Sequence, residues 1–213
     1  MDFSTAEKTF YKDRFEEALS IRNSSYIQHG NKKQVKTLEE YMQEHCPEET
    51  IWMIGNAEDM IPAKILHNVW TEQKTWMEAM FPQVTVLDWA LHVDEQGAPH
   101  IHERHVFIGH DKRGLEVVGQ NKALAEMGIS APNPQRPTGR HNNAKMTYTA
   151  ICRQHFQELC KRHGLDIEVQ PRERSEMGLT QAEYKTRQEE KAAARAEMKM
   201  KAAEQLPTLR LSF

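Results

Sequence analysis

The hydrophobic positions change their spacing several times along the chain, and each spacing predicts a different element. Apolar side chains recur every three or four residues in 4–22 and again in 62–80, which predicts two amphipathic helices. The segment 50–55 is continuously apolar and ends in a glycine, a pattern typical of a buried strand. The first half of the chain therefore mixes helices with an extended segment.

A hairpin and a further helix are predicted in the second half. Residues 84–93 and 100–108 are rich in β-branched and aromatic side chains, and a glycine-containing connection between them is typical of a hairpin. The loop over 130–141 is rich in proline. Asn142 or Asn143 can then cap a helix that ends near His163.

Composition and charge exclude several classes of protein. The 213 residues are 38% hydrophobic, which suffices for one core of ordinary size with a polar extension left over. The net charge of -3 excludes a uniformly basic nucleic-acid coat but not a local basic face. There is no apolar run long enough to span a membrane and no secretory signal. The 3 cysteines lack CxxC spacing, which indicates reduced thiols, so we expect a cytoplasmic protein without a membrane partner.

Histidine is unusually concentrated in the predicted hairpin. The chain has 11 histidines, and five of them fall between positions 92 and 110. Since side chains alternate across a strand, His100, His102 and Arg104 share one face of the second strand. In the first strand we place Val86, Asp88, Ala90 and His92 on one face and Leu87, Trp89, Leu91 and Val93 on the other.

Pairing the two strands brings three imidazoles together. If His92 lies across from His102, His100 falls opposite Asp94, and the three rings project from one side of the hairpin. Three neutral imidazoles at such separations can hold a divalent cation and leave open positions for substrate oxygens. We assign His105 and His110 to the core or the surface, because a single histidine on a strand is usually structural.

The motif resembles a known family. His92-Val93-Asp94-Glu95, followed by Pro99-His100-Ile101-His102, resembles the HxDE…PHxH signature of the Mob/Pre plasmid mobilisation and recombination proteins, which are relaxases of the HUH endonuclease class. The order of the flanking elements extends the resemblance to about residues 48–185. Gln96-Gly97-Ala98 stands where the family usually has two residues, so the turn or a bulge must absorb one residue.

The resemblance implies a fold, a cofactor and a partner. The fold would be α+β, with a central antiparallel β-sheet and helices packed on one face. A long polar C-terminal helix is predicted separately, because residues 180–205 are rich in Ala, Glu, Lys, Arg and Gln and contain very few large apolar residues. The histidine triad would hold Mn²⁺ or Mg²⁺ on the other face, where single-stranded DNA at an origin of transfer binds. The reaction would be a transesterification that leaves the enzyme attached to the 5′ phosphate.

The nucleophile is not fixed by the motif, because the family carries it on an N-terminal strand and this chain opens with a predicted helix. HUH replication initiators place a tyrosine on a helix after the histidines, so Tyr148 is the candidate nucleophile, and its alternative role is packing. Tyr11, Tyr26 and Tyr41 are weaker candidates. Glu95 is a candidate fourth ligand or a carboxylate that supports the ligands, and otherwise an acidic turn tip.

DNA contacts are predicted from a local excess of positive charge. Between 132 and 163 there are six basic residues and one acid, Glu158. This segment could contact phosphates and base edges, or it could simply be a solvated charged face. Arg104, on the triad face, could clamp a phosphate. The other candidate contacts are Arg136, Arg140, Asn142, Asn143 and Lys145.

We therefore divide the chain into three predicted segments and carry three functional hypotheses. The segments are a helical N-terminal part (1–47), a metal- and DNA-binding core (48–170) and a polar helical extension (171–213). The first hypothesis is a metal-dependent relaxase. The second is a DNA-binding protein of the same fold that does not cleave, and the third is a metallohydrolase acting on another substrate. Nothing in the sequence predicts the oligomeric state.

Overall fold

Five helices pack against a four-stranded antiparallel sheet within residues 3–167. The computed structural model describes residues 3–55, 60–93 and 98–167, together with six positions between 186 and 196. The elements are α1 (Phe3–Gln28), a 3-10 turn (Lys32–Gln34), α2 (Leu38–Glu44), β1 (Glu48–Met53), α3 (Ala63–Met80), β2 (Val84–His92), β3 (His100–His110), β4 (Glu116–Val118), α4 (Gln120–Glu126) and α5 (Ala144–Arg162). The predicted α+β class with an antiparallel sheet is confirmed.

Local sequence signals explain where several helices begin. The Thr37 hydroxyl accepts a hydrogen bond from the Glu40 amide, and the Glu40 carboxylate accepts one from the Thr37 amide, so α2 begins with a complete capping box. The Asn143 side chain accepts from the Met146 amide and caps α5. Pro62 immediately precedes α3, as its missing amide hydrogen favours.

The sheet has the order β1-β3-β2, with the short β4 pairing to the distal end of β3. β1 pairs with the first half of β3, so that Ile51 lies opposite His102 and Met53 opposite His100. β1 is an edge strand whose residues alternate between exposed and covered, in contrast to the fully buried strand expected at 50–55.

A bulge divides β2 into two halves. Val86 pairs with His105 and Asp88 with Arg104, which leaves Leu87 as an extra residue. Val86 consequently packs into the core with α3 and α5, whereas Leu87 packs on the opposite face. Our assignment of these two side chains to faces is therefore wrong, because simple alternation fails across a bulge.

Hydrophobic cores lie on both faces of the sheet. The larger core joins α3, α4 and α5 to one face through residues such as Trp70, Phe107 and Phe156. A smaller core joins α1 and α2 to the distal part of the other face, where Tyr11 and Phe15 pack with neighbours including Val106 and Ile108. The helices thus occupy part of the histidine face as well, because the apolar stripe of α1 covers the apolar end of β3.

The first helix runs along the histidine face from the triad end towards the β3–β4 turn. Glu7, in its second turn, contacts Arg104, and Ser25, near its end, accepts a hydrogen bond from Arg113. Between them Arg14 makes a two-pronged ion pair with Glu116 of β4. The triad end of the face lies beyond the apolar contacts of this helix.

The structure divides into two units, Met1–Ile167 and Glu168–Phe213. The predicted polar C-terminal helix lies largely outside the described residues; the six positions described between 186 and 196 are helical and exposed. Among the residues that the structure describes, no helix combines the length and the apolar character needed to cross a membrane.

Candidate metal centre

The three histidines of the motif converge on one face of the sheet. The ring centroids lie 5.3 Å apart for His92 and His100, 4.7 Å for His92 and His102, and 5.0 Å for His100 and His102. One nitrogen from each ring lies within 4.8 Å of the others. All three rings are half-buried, so an ion could reach them from solvent. We call these residues the histidine triad.

The strand register differs from the predicted one by two residues. His92 lies opposite His100, and Ala90 lies opposite His102. The predicted pairings of His92 with His102 and of Asp94 with His100 are wrong. A shift of two residues preserves the face of every side chain, which is why the convergence of the triad survives the error.

Hydrogen bonds to the Nδ1 atoms fix the orientation of the His100 and His102 rings. The Nδ1 atom of His100 lies 3.1 Å from the carbonyl oxygen of Ala98, and Nδ1 of His102 lies 2.6 Å from Oε1 of Glu49. The carbonyl oxygen of Ala98 can only accept a hydrogen bond, and the same holds for the Glu49 carboxylate when it is ionised. Each Nδ1 therefore carries the ring proton. In both rings the ligand atom is then Nε2.

These donors fit a divalent cation. Three neutral imidazole nitrogens from rigid strands are a recurrent ligand set for first-row transition metals. Alanine at position 90 places only a methyl group opposite His102 on the β2 side, while Ile51 lies opposite it on β1. The structure therefore supplies three of the ligands that a metal ion needs, while the identity of the ion is open.

Arg104 lies on the triad face as predicted, but its guanidinium is already engaged. It donates to Asp88 Oδ1 at 2.8 Å and to Glu7 Oε2 at 2.7 Å, with a second short contact to Asp88. Hydrogen bonding to Asp88, and less so to Glu7, raises the pKa of Arg104 still further. The side chain therefore ties α1 to the sheet, and a phosphate would have to compete with two carboxylates for it.

Tyr148 is not brought to the triad. It is buried on the opposite face of the sheet, with its ring 4.9 Å from that of Phe81 and 5.2 Å from that of Phe107. Burial raises the pKa of its hydroxyl well above the ordinary value, which opposes its use as a nucleophile. Tyr148 is therefore a packing residue, which was the alternative to its role as nucleophile, because the sheet separates it from the histidines.

Lys145, one of the predicted DNA contacts, lies on the face of the sheet opposite the triad. α5 begins against Phe107, five residues along β3 from His102, or about 16 Å, and on the other face. Lys145 donates to Glu48 at 2.7 Å and lies over the Phe107 ring. Arg136 and Arg140 are exposed on the loop, so their role in DNA binding stays a prediction.

The two asparagines of this segment organise the loop itself. The Asn142 amide accepts from the Asn133 backbone and donates to the carbonyl oxygens of Asn133 and Arg136. Asn143 caps α5 and also donates to the Gly139 carbonyl. With these bonds in place, neither amide is free to contact a base edge without local rearrangement.

Glu95, the candidate fourth ligand, lies outside the described residues.

A second histidine–carboxylate pair lies under the sheet, on the core face of β3. His105 Nδ1 lies 2.9 Å from Glu103 Oε1, and both side chains are at most 2% exposed. Trp52 Nε1 donates to the other Glu103 oxygen at 2.7 Å, and Lys145 lies 3.5 Å from His105 Nε2. His105 is thus a core residue, as expected, whereas His110 is exposed and contacts Glu126.

Glu49 is the functional candidate that sequence reasoning missed. It lies 53 positions before His102, on a strand whose pairing with β3 was not predicted. Parity places Glu49 on one face of β1 with Ile51 and Met53, but the sequence does not mark that face as exposed, because Ile51 and Met53 are apolar. No family model, curated protein or solved structure matches this chain.

Proposed function

We propose that this protein is a metal-dependent enzyme that acts on phosphodiester bonds of single-stranded DNA, as a relaxase of plasmid or mobile-element mobilisation does. The observation that carries the proposal is the convergence of His92, His100 and His102 on a half-open sheet face, in the order and spacing of the motif that resembles the Mob/Pre signature. In this proposal the protein acts in the cytoplasm.

Mn²⁺ is the better of the two predicted ions. Mg²⁺ prefers oxygen ligands and keeps most of its water, so Mn²⁺ accepts imidazole nitrogen more readily than Mg²⁺ does. Three imidazoles by themselves suit later first-row metals such as zinc better than either ion. A bound divalent ion would polarise the scissile phosphate and offset its developing negative charge. The three histidines would hold that ion through rigid strands, so little reorganisation is needed when substrate arrives.

Exposed apolar side chains beside the triad favour a nucleotide as the substrate. Ile51 and Met53 lie opposite His102 and His100 and are 57% and 49% exposed. Each base of a single strand presents an apolar face that can pack on such a surface while its phosphate lies at the metal. Exposed apolar patches of this kind usually mark a binding surface.

The positions of the tyrosines favour a second candidate, hydrolysis of the phosphodiester by water. Of the four described tyrosines, Tyr11 and Tyr41 are buried and hydrogen-bonded to the backbone at His45 and Val118. Tyr148 is on the wrong face, and Tyr26 lies near the distal end of α1. A tyrosine nucleophile would therefore have to come from outside the described residues.

Labelled single-stranded oligonucleotides from the non-coding DNA beside the gene would test the proposal. The full chain is incubated with Mn²⁺, or with a chelator, and the products are separated under denaturing conditions. Adducts between protein and DNA that require Mn²⁺ indicate a relaxase, and cleaved strands without adducts indicate hydrolysis. His102→Ala should abolish either product, whereas Tyr148→Phe should leave it unchanged.

Two results would contradict the proposal. Binding of DNA without cleavage, equal in wild type and His102→Ala, would favour the hypothesis of a non-cleaving DNA-binding protein. Absence of both binding and cleavage across all oligonucleotides, with Mn²⁺ bound to the triad, would favour a metallohydrolase acting on another substrate.

A further inference from the structure

A carboxylate from the neighbouring strand contacts the triad from behind. Glu49 Oε1 lies 2.6 Å from Nδ1 of His102. Glu49 stands opposite Arg104 in the register, and Ile51 stands opposite His102, so Glu49 reaches His102 diagonally across the two strands. The contact joins side chains that are 53% and 27% exposed.

The contact determines which nitrogen of His102 is available. A neutral imidazole carries its proton on one nitrogen, and an ionised carboxylate accepts hydrogen bonds without donating any. With the proton held on Nδ1 by Glu49, the lone pair of Nε2 is free to bind an ion. The carboxylate also increases the basicity of the ring as a ligand and restrains its rotation.

We propose that Glu49 is a positioning residue of the metal centre, which holds His102 in the ligating tautomer and strengthens cation binding. The inference rests on the proposed metal site and adds to it a residue from outside the histidine motif. Glu49 also contributes a negative charge beside the three neutral ligands. A site with this composition holds a divalent cation more tightly than the three rings alone.

His100 provides an internal comparison for this role. Its Nδ1 lies 3.1 Å from the carbonyl oxygen of Ala98, which is an uncharged backbone acceptor that no substitution removes. The two rings are thus oriented by different means, one by the turn and one by a replaceable side chain. Only the orientation of His102 should respond to changes at position 49.

Glu49→Gln and Glu72→Gln make a matched pair of variants. Glu72 lies 2.7 Å from Nε2 of His163, and the pair is 48% and 26% exposed, but it lies far from the triad on α3 and α5. Binding of Mn²⁺ to the full chain is measured by titration calorimetry. We expect Glu49→Gln to weaken Mn²⁺ binding about 10-fold or more and Glu72→Gln to leave it unchanged.

A second measurement on the metal-free protein separates orientation from metal binding. Nitrogen chemical shifts of the His102 ring report which nitrogen carries the proton. We expect wild type to hold the proton on Nδ1, Glu49→Ala, which removes the acceptor, to lose that preference, and His100 to stay the same in both.

The outcomes distinguish this inference from the proposed function. If wild type binds Mn²⁺ and Glu49→Gln binds it equally well, the role of Glu49 is overturned while the metal site stands. If wild type binds no Mn²⁺, the metal site fails, and with it the role of Glu49 in cation binding. A His102 proton that stays on Nδ1 in Glu49→Ala overturns the positioning role in either case.

Discussion

β3 carries two histidines three residues apart, each beside a carboxylate, and the two histidine–carboxylate pairs differ in their surroundings. His102 and Glu49 lie on the open face, 27% and 53% exposed, whereas His105 and Glu103 lie on the core face and are at most 2% exposed. The open pair can exchange its partners with solvent or with an ion. The buried pair cannot, and its groups depend on Trp52 and Lys145 for further contacts.

The comparison teaches that the surroundings of a histidine–carboxylate pair depend on the face of the strand. On the core face such a pair is part of the packing, and on the open face it can meet solvent or an ion. Removing one partner of a buried pair leaves a polar group without water, which is costly. An exposed pair contributes little to folding, because water replaces the lost contact. We therefore expect substitutions on the two faces to affect different measurements.

The largest effect should follow from breaking the buried pair. Glu103→Ala leaves the buried Trp52 indole without its acceptor and removes the carboxylate that lies 2.9 Å from His105, and we expect the free energy of unfolding to fall by about 3 kcal/mol. Glu49→Ala, on the open face, should cost less than about 1 kcal/mol. Urea denaturation measures both. Equal losses would refute the contrast between the two faces.

Bound Mn²⁺ should raise the free energy of unfolding of the chain, and it should do so through the histidine triad alone. At a Mn²⁺ concentration 100 times Kd, the wild-type chain should gain about 2.7 kcal/mol in unfolding free energy, and a chelator should reverse the gain. His102→Ala should lose this response and otherwise unfold like the metal-free wild type, because its ring is half-exposed. Thermal unfolding with and without Mn²⁺ measures the response. A stabilisation that persists in His102→Ala would place the ion elsewhere.

Arg104 lies between the histidine triad and the apolar core under α1, and substituting it tests how much its ion pairs contribute to holding α1 on the sheet. Arg104→Leu leaves Asp88 and Glu7, which are 12% and 17% exposed, without their cation, and we expect a loss of about 2 kcal/mol. Arg14→Leu removes the more exposed ion pair with Glu116 and should cost less than about 1 kcal/mol. Hydrogen exchange of α1 amides should rise in Arg104→Leu, and an unchanged rate would show that the apolar contacts alone hold the helix.

The smallest effect concerns a histidine whose partner is uncharged. His155 stacks on Trp76 and lies 2.7 Å from the Gln73 side-chain oxygen, and burial lowers its pKa below the ordinary 6.5. Its contribution to stability is present above pH 6.5 and is lost as the pH falls towards the folded-state pKa.

His155→Gln should therefore make stability fall less steeply between pH 6.5 and 5. His45, whose pKa is also lowered by burial, should maintain part of the slope in the variant. Urea denaturation at several pH values measures the slope. A slope identical to that of wild type would exclude His155 as a contributor.

Alternation along a strand correctly predicted the faces of the histidines on β3, because that strand is regular. β3 contains no bulge against β1, so the faces of His100, His102 and His105 follow from parity alone. The cap of α5 was predicted as Asn142 or Asn143, and Asn143 fills it; such a cap is predictable because it depends on a few neighbouring residues.

The remaining features depend on contacts that are remote in sequence. The position of Glu49 beside His102 requires the pairing of β1 with β3, and the burial of Tyr148 requires the packing of α5 under the sheet. Val86 and Leu87 were misplaced because nothing in their local sequence marks the bulge. Sequence spacing reports faces within one strand, whereas tertiary packing decides which strand and which helix lie next to it.

The bulge at Leu87 limits how related chains can differ in length. Deleting one residue between the bulge and His92 would rotate the outer half of β2 by one position, which would turn His92 towards the core and Trp89 towards water. A residue gained or lost in the connection between His92 and His100 leaves the faces of β2 and β3 unchanged as long as these two residues stay paired. Chains that keep the metal ligands should therefore vary in length within this connection and not within β2.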